Sequence, residues 1–92
     1  MIRSFRSAET QDIFEGRRSK RLGNIQKAIE RKLAMLDAAT TLDDLRSPPG
    51  NRLELLKGDR AGEHSIHVND QYRCCFRWTP SGPEDVEIVD YH

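Results

Sequence analysis

Leu53–Trp78 reads LELLKGDRAGEHSIHVNDQYRCCFRW, and its periodicities set the architecture of the chain. Leu53 and Leu55 alternate with polar neighbours, and Ile66 and Val68 do the same after a basic loop, Lys57-Gly58-Asp59-Arg60. Tyr72, Cys74, Phe76 and Trp78 then recur at every second position, so one face of that strand is apolar. Arg73, Cys75 and Arg77 occupy its other face. Asn69-Asp70 supplies a turn pair that tolerates left-handed backbone angles. The pattern predicts a strand, a basic loop and a tight hairpin. A hairpin of this size does not hold together alone in water, so the remaining chain is expected to back it.

On the carboxy-terminal side, Thr79-Pro80-Ser81-Gly82-Pro83 predicts a longer turn. A last strand runs from Asp85 to Tyr91, with Val86 and Ile88 on one face and Glu87 and Val89 on the other. On the amino-terminal side, MIRSFR is a short alternating segment that docks Ile2 or Phe5. Ser7 is placed to cap a helix from Ala8 to about Glu15, with Ile13 and Phe14 inward and Glu9 near its positive end. The longest helix starts at Asn24 as N-cap; Ile25, Ala28, Ile29, Leu33, Leu36 and Ala39 face inward, and Gln26, Lys27, Glu30, Arg31 and Asp37 face out. Thr41-Leu42-Asp43-Asp44 resembles a capping box for a short helical turn, which Pro48-Pro49 brings to an end. Strand, two helices and four strands predict an α+β domain: a mainly antiparallel sheet with two amino-terminal helices packed on one face.

The 92 residues imply one small domain, spanning 1–92, with room for one core. No signal peptide or membrane-length apolar run is present, and a cytoplasmic protein without membrane contact is expected. Cys74 and Cys75 are neighbours on opposite strand faces, which argues against a disulfide between them and for a reducing compartment. Net charge is zero but divided: residues 1–36 carry nine cations against four anions, a net of +5, and residues 37–92 carry six against eleven, a net of −5. This excludes a uniformly basic nucleic-acid binder; RNA contact has to be local. Arg17, Arg18, Lys20 and Arg21 concentrate charge between the helices and read first as a solvated turn, with a phosphate or partner contact as the functional alternative.

Metal chemistry is not expected. His64 and His67 are three apart on a strand and point to opposite faces, and no CxxC or HxxxH spacing occurs. No nucleophile elbow or phosphate-binding Gly-rich loop appears either. What remains is an acid–base set at Asp90-Tyr91-His92. Imidazole passes protons near neutral pH, phenol stacks on a base or holds a hydroxyl, and carboxylate orients the ring or acts as base. Lys57 and Arg73 add the positive charge that a phosphoryl transition state needs. Together these residues suit metal-free RNA cleavage, in which the 2′-OH attacks the adjacent phosphorus.

The chain resembles the HigB-type toxins of the RelE superfamily, the killer components of bacterial type II toxin–antitoxin pairs. The likeness covers nearly the whole chain and rests on MIRSF, RKLAMLDAAT, LRSPPGNRLE, LKGDRAGEHSI, VNDQYR and EIVDYH in this order. It implies a RelE-like fold and a ribosome-dependent mRNA endonuclease that cuts messages in the A site of the 70S ribosome, without a cofactor. It also implies a HigA-like helix-turn-helix antitoxin as partner, with operator DNA bound only through the antitoxin complex. By position, Asp90, Tyr91 and His92 match the family's catalytic cluster, and Lys57 and Arg73 match its phosphate-binding positions. Glu54 stands where some relatives have histidine and is a further candidate base. The basic segment 17–21 is a candidate docking surface for ribosomal RNA. The alternative is a non-catalytic module of the same fold that inhibits translation by occupying a ribosomal site.

Overall fold

The alternation of residues 53–78 becomes three of the strands of a four-stranded sheet. The structure is a computed structural model that describes residues 1–90; Tyr91 and His92 lie outside the described residues. In chain order, α1 spans Ala8–Phe14 and α2 Gln26–Ala38, followed by β1 (Glu54–Leu55), β2 (His64–His67), β3 (Tyr72–Thr79) and β4 (Gly82–Asp90). Short 3₁₀ turns occur at Gly23–Ile25, Leu42–Arg46, Pro49–Asn51 and Gly58–Arg60. The strands form one antiparallel sheet in sequence order. The expected α+β arrangement of two helices and a mainly antiparallel sheet is therefore observed.

Each helix forms for a local reason and is held by burial. Ser7 accepts a hydrogen bond from the Thr10 amide at 3.2 Å and so caps α1. Ile29, Leu33 and Leu36 repeat along one side of α2 and are fully buried with Ile13, Ile66, Cys74, Phe76 and Val86. Thr41 and Asp44 complete the capping box before a turn that buries Leu45, although that turn is 3₁₀ rather than α.

The amino-terminal segment covers the outer edge of β4. Phe5 pairs in parallel with Val86; the Arg3 amide donates to the Pro83 carbonyl, Val86 to Ser4, and Arg6 to Val86. Beyond that bridge the Ile88 amide donates to Thr10 Oγ1 at 3.1 Å, so α1 completes the edge where the parallel segment ends.

Several local expectations are corrected. Leu55 is 59% exposed and Leu56 is the buried residue: β1 is a two-residue edge beyond the helices, and the chain turns inward as the Leu56 amide donates to the Glu63 carbonyl. Phe14 is on the rim of α1, 38% exposed, with its ring 5.5 Å from Phe5. Asn24 sits inside a 3₁₀ turn and does not cap α2, whose first residue is Gln26. Gln26 is buried rather than outward, because its amide holds the preceding loop: Oε1 accepts from the Ser19 amide at 2.9 Å and Nε2 donates to the Arg17 carbonyl at 2.7 Å. Neither Asn69 nor Asp70 adopts a positive φ; instead Asn69 Oδ1 accepts from the Gln71 and Tyr72 amides. The turn after β3 is shorter than expected, with Thr79 paired to Gly82, and β4 therefore begins at Gly82.

The sheet's second face is partly roofed. Cys75 and Ser65 are fully buried there, and Leu56 is buried outside the main core cluster. Glu63, only 3% exposed, pairs with Arg6 at 3.3 Å and Arg60 at 3.2 Å, while Arg60 also reaches Glu87 at 3.2 Å. This ion-pair lattice consumes one cation of the predicted basic loop. Arg73 lies toward the other end of that face.

Candidate active site

Alternation sends Arg73, Ser65, His67 and Glu54 to the second face, because Glu54 pairs with Ser65 and His67 with Arg73 across the ladder. Arg73 is held by two strong contacts. Its Nε donates to Ser65 Oγ at 2.7 Å, and its Nη2 donates to the Arg52 carbonyl at 2.8 Å. Glu54 Oε1 lies 3.7 Å from Nη2, and the Arg73 side chain is 11% exposed. A guanidinium fixed at two points costs little further ordering when it meets an anion.

The carbonyl that holds Arg73 is itself placed by an unusual backbone. Arg52 is left-handed, with φ 47° and ψ 53°, and closes the Pro49–Asn51 turn. That conformation is disfavoured for a side-chain-bearing residue and persists only where its surroundings enforce it. Here the enforcing residue is Asn51, fully buried, which donates from Nδ2 to the Leu45 carbonyl at 3.1 Å and accepts from Lys32 Nζ at 2.6 Å. Burial lowers the Lys32 ammonium from its ordinary value, with Arg31 adding to the effect.

His67 belongs to this neighbourhood. Partial burial is the main cause that lowers its imidazole below the usual value, followed by Arg52, Arg73 and Lys32, with Asp70 opposing. The ring is therefore kept neutral beside fixed cations. At the roofed end, burial pushes the Cys75 thiol up to about 11, which removes it as a nucleophile at neutral pH. Both cysteines are free. Among the described residues, no group of three or more His, Cys, Asp or Glu side chains is placed to hold a metal ion.

The structure scatters some of the sequence-selected residues and gathers others. Glu54 and Arg73 are brought together. Lys57 is exposed at the residue preceding the Gly58–Arg60 turn, three positions along from Glu54. Asp90 pairs with Tyr72 while Arg73 pairs with Val89, so Asp90 and Arg73 occupy neighbouring strands on alternate faces, one position apart. Asp90 Oδ2 accepts from Gln71 Nε2 at 3.1 Å. Tyr91 and His92 lie outside the described residues. Of the basic segment, Arg17 pairs with Asp12 and Glu15, and Arg21 pairs with Glu9 at 2.7 Å, so acids on or next to α1 neutralise half of it. A groove of about 450 Å³ runs elsewhere, between the start of α2 and Asn69, with Arg18, Lys27 and Arg31 on its wall.

Strand alternation puts Ser65 and His67 on one face, which the sequence reads as exposed and without a role; Ser65 is instead fully buried, and nothing in the sequence singles out Arg52. Alternation across the ladder carried the signal for Ser65 and His67. The Arg52 carbonyl gave none, since a left-handed arginine has no local sequence signature.

Comparison with known proteins agrees with this architecture. Residues 3–92 match the profile of the HigB-like toxins, described as the RelE-like toxin of the type II toxin–antitoxin system HigB. The chain is 44% identical over 80 residues to Toxin HigB-1 of Vibrio cholerae, covering 85% of this chain and 84% of that protein. It is also 45% identical over 60 residues to an uncharacterized protein of Haemophilus influenzae, covering 65% of this chain and 59% of that one. A match across almost every residue, on a fold whose second face presents an immobilised arginine, identifies the chain as a member of the HigB-like toxins, the RelE-like toxins of type II toxin–antitoxin systems.

Proposed function

We propose that this toxin is a ribosome-dependent endoribonuclease that cuts mRNA in the A site, without a metal, by attack of a 2′-OH on its own phosphodiester. The observation that carries the reading is the Arg73 guanidinium, fixed at 2.7 and 2.8 Å by Ser65 and the Arg52 carbonyl beside Glu54. A dianionic phosphorane gains charge as it forms, and a preorganised cation favours it over the substrate. In this reading Arg73 and Lys57 bind the scissile phosphate. Asp90, Tyr91 and His92 orient the substrate and carry protons, with Glu54 as a further proton acceptor. DNA lacks the attacking hydroxyl, so the chemistry itself selects RNA.

The toxin family implies an antitoxin. We assign it the HigA-like helix-turn-helix class, with operator DNA reached only through the complex. Ribosome docking is assigned to Arg18 and Lys20, the members of the basic segment outside the ion pairs that Arg17 and Arg21 make with Glu9, Asp12 and Glu15. Induced expression followed by mapping of mRNA 5′ ends tests the reading. New ends at A-site codons are expected, lost in His92→Gln. Growth arrest with intact messages would overturn cleavage and favour occupation of the ribosome without chemistry.

A further inference from the structure

We propose that His67 is a catalytic base of this toxin, removing the 2′-OH proton of the RNA whose phosphate Arg73 holds; this rests on the nuclease reading above. Three observations place it. His67 is the direct cross-strand partner of Arg73, so both side chains leave the sheet on the same face, where paired positions stand about 5 Å apart. The Arg73 fork is turned by Ser65 and the Arg52 carbonyl, which fixes the phosphate-binding group relative to the imidazole. Finally, His67 is half-buried and its side chain makes no hydrogen bond to the described residues, which leaves a ring nitrogen to accept a proton.

The charges around it favour a base rather than an acid. Arg73 faces it from β3, Arg52 from the chain entering β1, and Lys32 from α2; Asp70 in the β2–β3 loop is the opposing carboxylate. Glu54 is turned toward Arg73 and shares the face. Partial burial first, and then the three cations, disfavour the imidazolium, so the ring is available to take the substrate's proton. The step balances: O2′–H breaks with the proton going to His67, O2′–P forms, P–O5′ breaks, and the leaving O5′ takes a proton from His92 as imidazolium, one of the residues assigned above to carry protons. The products are a 2′,3′-cyclic phosphate and a 5′-hydroxyl. With His67 as the base, Glu54, more exposed and 3.7 Å from the guanidinium, positions Arg73 in place of the proton-acceptor role given to it above.

The test is single-turnover cleavage of ribosome-bound mRNA by the full chain and by His67→Gln and His67→Ala, across pH 5–8. Expected is a loss of about 10²-fold or more in rate, with ribosome binding within about twofold of wild type and partial rescue of His67→Ala by free imidazole. In the unmutated toxin, the acidic limb of the rate profile should coincide with the His67 titration followed by NMR, which keeps the proposal testable if the variants do not fold. Cleavage within about threefold of wild type in His67→Gln, or an acidic limb about a pH unit or more from the His67 midpoint, overturns the role of His67 while leaving the nuclease reading intact. No cleavage by the wild type overturns both.

Discussion

Arg73 shows how much of a site can depend on groups other than the functional side chain. Its direction off the apolar face follows from strand alternation, but its fixed rotamer follows from Ser65 and from a carbonyl on a left-handed Arg52. A lysine at 73 keeps the charge and loses the fork, since an ammonium cannot hold two divergent acceptors in one plane and still offer a face to phosphate. Arg73→Lys should therefore lower the cleavage rate by about 10²-fold, the scale of losing one preorganised oxyanion donor, with little change in ribosome affinity. Single-turnover rates alongside equilibrium binding check this. A rate within about threefold of wild type would mean that charge alone suffices.

Among the elements, the loop between α1 and α2 reads in sequence as a run of cations and is in fact two different things. Arg17 and Arg21 are tied to Asp12, Glu15 and Glu9. Ser19 and Gln26 pin the backbone, with Ser19 Oγ donating to Glu9 at 2.6 Å and accepting from the Leu22 amide at 3.0 Å. Arg18 stands over the start of α2, on the wall of the groove with Lys27 and Arg31. Charge reversal should divide accordingly. Arg18→Glu with Lys20→Glu should weaken ribosome binding and reduce its salt dependence while leaving the melting temperature nearly unchanged. Arg17→Glu with Arg21→Glu should instead lower stability by about 1 kcal/mol, the scale of exposed ion pairs turned repulsive. Binding titrations at several salt concentrations and thermal melts of both double variants separate the two. Equal effects of both on binding would mean that the segment acts only through its total charge.

For the whole molecule, the pH dependence of stability follows from groups in different layers. His64, stacked against Phe76 with ring centroids 6.3 Å apart, has its Nδ1 buried without a hydrogen-bond partner among the described residues, and burial lowers its imidazole. His67 is lowered as well. A depressed imidazole favours the neutral folded form, so its stabilisation is complete above the ordinary value of 6.5 and declines as pH falls from there toward the lower folded values. Glu9 is lowered chiefly by its hydrogen bond from Arg21, and Asp44 by the Thr40 and Thr41 amides, so a second loss begins as pH falls below 4.5 and 3.8. In alkali the sign reverses: burial raises both thiols, and stability declines once pH passes the unfolded value of 9.0. Urea midpoints should therefore be flat from about pH 7 to 8.5 and fall on either side. His64→Gln is expected to flatten the decline between pH 6.5 and 5; an unchanged decline would assign it to His67 alone.

Most of the regular periodicity was legible from neighbours along the chain, whereas the Asn24 cap and the Asn69-Asp70 turn, also local, were not. The period of two through Tyr72–Trp78, the period of 3.6 through Ile25–Ala39, the Ser7 cap and the Thr41 box each place their own signal within a few residues, and the sheet, the helices and the buried face follow from them. Features that join residues far apart in sequence emerged from the folded chain alone. Folding moved Leu56 inward in place of Leu55, buried Gln26 against the loop that precedes α2, and divided the basic segment 17–21 between paired and available cations. It also brought Arg52 to Arg73 across 21 residues and set His67 opposite it. Hydrophobic period is a local property of a polymer, whereas hydrogen bonds and desolvation act between whatever the fold has made adjacent, and the candidate site is built from the second kind.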